Sequence, residues 1–117
     1  MRHKIYPAAS RRIIDIWHYT DKNWGEKQAD KYVRGLYKAI EKAANNKHSW
    51  RKVEHQKTKG IFCIRYEHHY IFFRELSKGV LGVVSVLHER MDIPNRLKED
   101  IEGYLSQGFW GQTLMKV

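Results

Sequence analysis

Apolar residues recur along this chain in two periods, and the change of period marks its architecture. From Ala8 onward, Ala9, Ile13, Ile16 with Trp17, Thr20 and Trp24 return every three or four positions, the spacing of one helix face. Arg11, Arg12, Asp15 and His18 fall largely off that stripe. Gly25 suits the stop, because a helix end often needs positive φ. A second helix begins at about Glu26, with Ala29, Tyr32, Val33, Leu36, Ala39, Ile40, Ala43 and Ala44 at helical spacing. Glu26 lies near its positive end and Lys42 and Lys47 near its negative end, the sense that the helix dipole favours. Asn45-Asn46 is the exit. So short a turn between two helices predicts a hairpin.

The sheet follows. Gly60 to Leu97 reads GIFCIRYEHHYIFFRELSKGVLGVVSVLHERMDIPNRL. Ile61–Tyr66 is one strand, with Ile61, Cys63 and Arg65 on one face and Phe62, Ile64 and Tyr66 on the other. Glu67-His68 is a tight turn, Tyr70–Leu76 a second strand, and Ser77-Lys78-Gly79 a hairpin loop. Val80–Leu87 is nearly all apolar, which predicts a central strand buried on both faces. Asp92 and Pro94 mark a helix start, Leu97, Ile101, Tyr104 and Leu105 give its stripe, and Gly108 ends it. Lys4–Tyr6, interrupted by Pro7, fits an edge strand. His48–Lys59 is polar and basic and reads as a loop or a weak strand. The expected fold class is α+β: an N-terminal helical hairpin packed on a small, mostly antiparallel sheet, with a C-terminal helix. One domain spans residues 1–117, with residues 107–117 as an extension whose Phe109-Trp110 start and Leu114-Met115 are apolar for a terminus.

Composition narrows the function classes. There are 22 Lys plus Arg against 13 Asp plus Glu, a net charge of +9, which favours an acidic partner. The cations come from several elements (Arg11-Arg12, Lys38 with Lys42, Arg51-Lys52, Arg96 with Lys98), which suits an acidic segment better than a groove-reading helix. No apolar run approaches the ~20 residues of a membrane span. A lone cysteine, Cys63, cannot form an internal disulfide, so the expected compartment is the reducing cytoplasm.

Candidate chemistry is sparse. Seven histidines invite a metal, but no His-x3-His helix or Cys pair is present, so no metal or other cofactor is expected. Adjacent His68 and His69 should face opposite sides of a strand. Cys63, between Phe62 and Ile64, reads as inert core. Metal-free RNA cleavage needs a base, an acid and cations at the phosphate. Arg65, Arg74 and His88, with Tyr66, are the residues that could supply them. Trp17, Trp24, Tyr32, Tyr37, Phe72 and Phe73 sit mainly at stripe positions and read as core. Trp50 and Trp110 lie outside the confident elements and are candidate interface anchors.

The order of these pieces resembles the ParE toxins of the RelE/ParE superfamily of type II toxin–antitoxin systems. Tyr6, Ala8-Ala9 and Ile13-Ile14-Asp15-Ile16 look like the family's first helix, and Trp24-Gly25, Gln28-Ala29, Tyr32 and Leu36 like its second. Gly60 precedes the sheet, Tyr70–Arg74 resembles the strand ending in an aromatic and Arg, and Val86–Asp92 resembles the closing strand motif. The match covers roughly residues 5 to 97. The resemblance implies the same fold, a ParD-type antitoxin as partner, and DNA gyrase as target, with replication blocked. On that reading Arg65, Arg74, His88, Arg90, Trp50 and Trp110 are binding residues and the toxin is not an enzyme. Two departures stand out: Phe62 occupies a position that is often basic, the arginine appearing at Arg65 instead as in RelE-like nucleases, and the tail from Gln107 to Val117 lies outside the match. The arginine in that strand keeps an alternative open, a ribosome-dependent mRNA endoribonuclease using Arg65, Arg74, His88 and Tyr66.

Overall fold

Both layers of the fold rest on the strand Val80–His88. A computed structural model of the chain describes residues 3–53, 60–77 and 79–103. Its strands are β1 (His3–Ile5), β2 (Arg51–Lys52), β3 (Phe62–Tyr66), β4 (His69–Ser77) and β5 (Val80–His88), in one sheet ordered β1-β5-β4-β3-β2. β2 to β5 pair antiparallel, and β1 lies parallel to β5 with His3–Ile5 opposite Leu81–Val83. Helices α1 (Pro7–Trp24) and α2 (Glu26–Ala44) come between β1 and β2, and residues 93–103 form a third helix, α3. The architecture is the expected α+β one, with β1 at the edge. The polar stretch after α2 holds a 3-10 turn (Lys47–Ser49) and the two-residue β2. Residues 54–59, Lys78, and the predicted end of the last helix with the tail that includes Trp110 lie outside the described residues.

Local chemistry explains the hairpin. Pro7 opens α1, where its missing N–H costs nothing, and holds Tyr6 extended at φ −76° and ψ 156°. Gly25, at φ 93°, serves both helices. Its N–H donates to the Asp21 carbonyl at 2.9 Å, and its carbonyl accepts from the Ala29 N–H at 3.1 Å. Trp17 Nε1 donates to Asp30 Oδ1 at 2.9 Å and ties the two helices together. The hairpin buries Ala9, Ile13, Ile16, Leu36 and Ile40 against Ile71, Phe73, Leu81, Val83 and Val86 of the sheet. On the other face, Leu97 and Ile101 of α3 pack with Ile61, Phe72, Val84 and Leu87.

β5 serves both faces because its alternation is broken once. Phe72 pairs with Ser85 but Phe73 pairs with Val83, so Val84 is an extra residue, a bulge. Val83 and Val86 thereby both reach the hairpin side. Ser85, fully buried, is left to donate from Oγ to Asp100 Oδ2 of α3 at 2.6 Å. Asp100 also accepts from Arg12 of α1, at 3.0 Å from Nε and 3.1 Å from Nη2. One buried carboxylate thus joins α1, β5 and α3.

Three expectations about aromatic residues change, the first being Tyr37, read as core from its stripe position but 36% exposed. Burial of the α1 stripe ends at Thr20, and Trp24, one turn further on, is 66% exposed. Trp50 is half-buried: its ring packs at 5.2 Å from Phe62 and 5.0 Å from Phe73. Its Nε1 donates to the Ala43 carbonyl at 2.8 Å, satisfying one of the open carbonyls at the end of α2. Trp50 therefore closes the hairpin core, and its ring is already engaged there.

Candidate docking groove

The β3–β4 turn and the end of β5 bring three histidines together. Glu67 takes a left-handed φ of 52°, so His68 lies in the turn and only His69 enters the strand. The two rings therefore do not simply face opposite ways. His69 sits opposite His88 across the β4–β5 ladder, with ring centroids 5.0 Å apart, and His68 stacks on His88 at 6.1 Å. The Glu89 N–H donates to the His68 carbonyl at 2.8 Å and closes this corner.

Each ring nitrogen Nδ1 in the corner has its own partner. Tyr32 of α2 meets His69 Nδ1 at 2.6 Å. His68 Nδ1 meets Glu89 Oε2 at 2.8 Å. His88 Nδ1 accepts the Arg90 N–H at 3.0 Å. The three rings do not point their nitrogens at one centre, and no group of three metal-ligating side chains is found among the described residues. Arg65 is engaged as well: Nη2 donates to Glu89 Oε1 at 2.5 Å and Nε to the Glu67 carbonyl at 2.9 Å.

Burial and neighbours set the titration of this corner. Burial pushes the His69 imidazole down to about 4, and the neighbouring His88 and His68 push the same way. Burial raises the Tyr32 phenol to about 12, against a lowering hydrogen bond from the His68 backbone. Both groups are therefore neutral at ordinary pH, and they share the proton-bearing contact between the Tyr32 hydroxyl and His69 Nδ1. The bond to His68, and then the charge of Arg65, hold the Glu89 carboxyl below its usual range. Burial raises Tyr66, whose phenol abuts Gly35 of α2 so closely that a Cβ there would collide with it.

The His69 shift has a stability consequence. An unfolded histidine titrates near 6.5, so the unfolded chain binds more protons than the folded one between pH 6.5 and 4. Folding stability should fall as pH drops through that window and level off below it. Allowing for partial solvent access, the loss is about 1–2 kcal/mol. Urea unfolding of the parent and His69→Gln between pH 7.5 and 4 checks this, since Gln can still bond to Tyr32 but cannot titrate. An equal loss in both proteins would remove His69 as its source.

This corner forms one wall of a groove of about 710 Å³. The opposite wall is α1, with Arg12, Asp15, Ile16, Tyr19, Thr20 and Trp24; Tyr32, Val86 and Met91 also line it. Tyr19 and Trp24 are 63% and 66% exposed and meet edge to face at 6.1 Å. Arg90 is exposed on the rim, and no carboxylate pairs with it among the described residues. A smaller cavity of about 410 Å³ lies between α1 and α3, beside Arg11, Arg12 and Asp100.

The sequence-derived candidates thus divide. Arg65, Tyr66, His88 and Arg90 share this end of the sheet: Tyr66 stacks edge to face on Tyr32 at 5.2 Å, and Arg65 reaches Glu89 beside His88. Arg74 pairs with Gly82 in the ladder, six positions from His88 and so roughly 20 Å away along the strand. Trp50 lies in the hairpin core. Sequence reading missed Tyr19, His68 and His69 as groove residues and took Trp24 and Tyr32 as packing. The signal available was an aromatic pair at the end of α1 where the helical stripe runs on past its last buried residue.

Comparisons with known proteins place the fold among toxin–antitoxin components. The family described as "ParE toxin of type II toxin-antitoxin system, parDE" matches residues 4–93. Toxin ParE1 of Mycobacterium tuberculosis is 35% identical over 96 residues, 82% of this chain and 97% of the relative. Toxin ParE of Escherichia coli is 31% identical over 95 residues, 81% and 91% of the two chains. A solved structure, "Chromosomal ParDE TA system from P. aeruginosa", superposes with a TM-score of 0.63 over 75% of this chain and 95% of its own, at 17% identity, a likeness of fold.

Proposed function

Because this chain belongs to the ParE toxin family of type II toxin–antitoxin systems, we propose that it acts by binding rather than by cutting. It poisons DNA gyrase in the cytoplasm and blocks replication, and a ParD-type antitoxin neutralises it. One observation carries this reading. Tyr32 with His69, and Arg65 and His68 with Glu89, are bonded to one another beside the groove, whereas the apolar wall of Tyr19 and Trp24 stands open. A metal-free nuclease needs a base and an acid with free positions next to uncommitted cations. Of the residues that such a nuclease would use, Arg65 is held by Glu89 and Glu67, Tyr66 is wedged on α2, His88 Nδ1 accepts the Arg90 N–H, and Arg74 lies about 20 Å from His88 along the sheet. The groove offers what an acidic, amphipathic antitoxin segment would use: apolar surface, the rim cation Arg90 and a chain carrying +9.

Inducible expression tests the target. Gyrase poisoning should raise DNA-damage signalling and impair supercoiling by purified gyrase, with mRNA left intact. Codon-specific mRNA cuts with normal supercoiling would replace this reading with the ribosome-dependent nuclease. The double variant Arg65→Ala/His88→Ala separates the two further, because continued killing is incompatible with a nuclease built on those residues.

A further inference from the structure

The wall that carries the histidines is short of negative charge. Its cations are Arg65 and Arg90, and its one carboxylate engaged with them is Glu89, already bonded by both Arg65 and His68. Glu67 sits in the turn, and its carbonyl holds Arg65. From α2 the facing groups are Tyr32 and, through it, Tyr66 of β3. From α1 they are Asp15 and Arg12, the latter already bound to Asp100.

The three imidazoles are not equivalent in this setting. His69 is half-buried, and burial, with His88 and His68 beside it, keeps it neutral at ordinary pH, while its Nδ1 meets the Tyr32 hydroxyl. His68 is exposed and His88 half-exposed at the groove. Their rings stack at 6.1 Å. Protonation of His88 at Nδ1 would forfeit the Arg90 N–H bond. An incoming carboxylate supplies the charge that this wall lacks, and histidine is the side chain that responds to such a change near neutral pH.

We propose that the groove is a proton-coupled docking site: an acidic segment binds it together with protons taken up at the His68–His88 pair, so affinity rises as pH falls from 8 to 6. This rests on the antitoxin reading above and adds its regulation. By linkage, each proton taken up changes affinity about tenfold per pH unit. Uptake of a fraction of a proton over this range should therefore give an affinity about tenfold higher at pH 6 than at pH 8.

The probe is the purified ParD-type antitoxin proposed above, titrated calorimetrically into the full-length toxin at pH 6, 7 and 8. Two buffers of different ionisation heat at each pH report the protons taken up. The double variant His68→Asn/His88→Asn keeps polar groups able to bond Glu89 and the Arg90 N–H but cannot titrate. The comparison is each protein's own ratio of affinities at pH 6 and pH 8, so any loss of affinity common to both pH values drops out. Net uptake in the parent and a flat ratio in the variant support the coupling. Binding with no buffer-dependent heat, or the same pH dependence in the variant, overturns the coupling and leaves the antitoxin reading standing. Absence of any complex at all three pH values sinks the antitoxin reading itself, and the coupling with it.

Discussion

Arg12→Ala should cost the fold about 3 kcal/mol, far more than a surface ion pair is worth. Asp100 keeps only 8% of its side chain exposed and receives three hydrogen bonds, two from Arg12 and one from Ser85. Removing the guanidinium leaves a buried carboxylate with one hydroxyl donor, and an unpaired buried charge is the expensive case. Asp100 in turn raises the Arg12 guanidinium above its ordinary value, chiefly through the hydrogen bonds. The cost should be graded. Ser85→Ala removes one hydrogen bond and should cost about 1 kcal/mol. Arg12→Met with Asp100→Leu removes both charges and should recover most of the stability lost by Arg12→Ala, since a well-packed apolar replacement of a buried pair is often neutral. Equilibrium urea unfolding of the four proteins is the measurement. If Arg12→Ala costs less than about 1 kcal/mol, the pair behaves like one in water and α3 is held by its apolar face alone.

That network shows what kind of feature a sequence hides. The helices and strands were legible because their periods are long and regular: the α1 and α2 stripes, the apolar run of β5 and the stop at Gly25 all stand where periodicity and turn chemistry put them. The bulge at Val84 was not legible, because every residue from Val83 to Leu87 except Ser85 is apolar and a period-two pattern cannot register a skipped position. Without the bulge there is no reason to join Ser85, Arg12 and Asp100, which lie on three elements far apart in sequence. The candidate groove is legible in part. Strand geometry puts Arg65, Tyr66, His88 and Arg90 at or beside strand ends, and the structure has them at one end of the sheet. His68 and His69 were assigned to opposite faces by strand geometry, and the left-handed Glu67 is what breaks that geometry. Trp24 was assigned to the core because a helical stripe says which face a residue occupies but not where the facing layer stops.

The same exposed end of α1 carries the second large effect. Replacing Tyr19 and Trp24 together by Ala should weaken antitoxin binding about 100-fold, near 2.7 kcal/mol. Large aromatic residues that are exposed in the free protein and line an apolar groove are the usual centres of binding energy. These two are also held by their edge-to-face contact, so little side-chain freedom is lost when a partner covers them. Because both rings are largely in water in the free toxin, the double substitution should change folding stability by no more than about 1 kcal/mol. Tyr37 and Ile14 provide the comparison. They are also exposed, at 36% and 52%, but neither lines this groove, and Ala at either should change affinity less than about threefold. Titration of the antitoxin into each variant, with unfolding measured alongside, decides the matter. Equal losses at all four positions would point to a diffuse surface rather than a groove. Unchanged antitoxin affinity, together with a toxin dimer that dissociates on Trp24→Ala, would assign the groove to a second copy of this chain. The groove is then tested separately from the proposed target, because binding to the antitoxin and killing are read in different experiments.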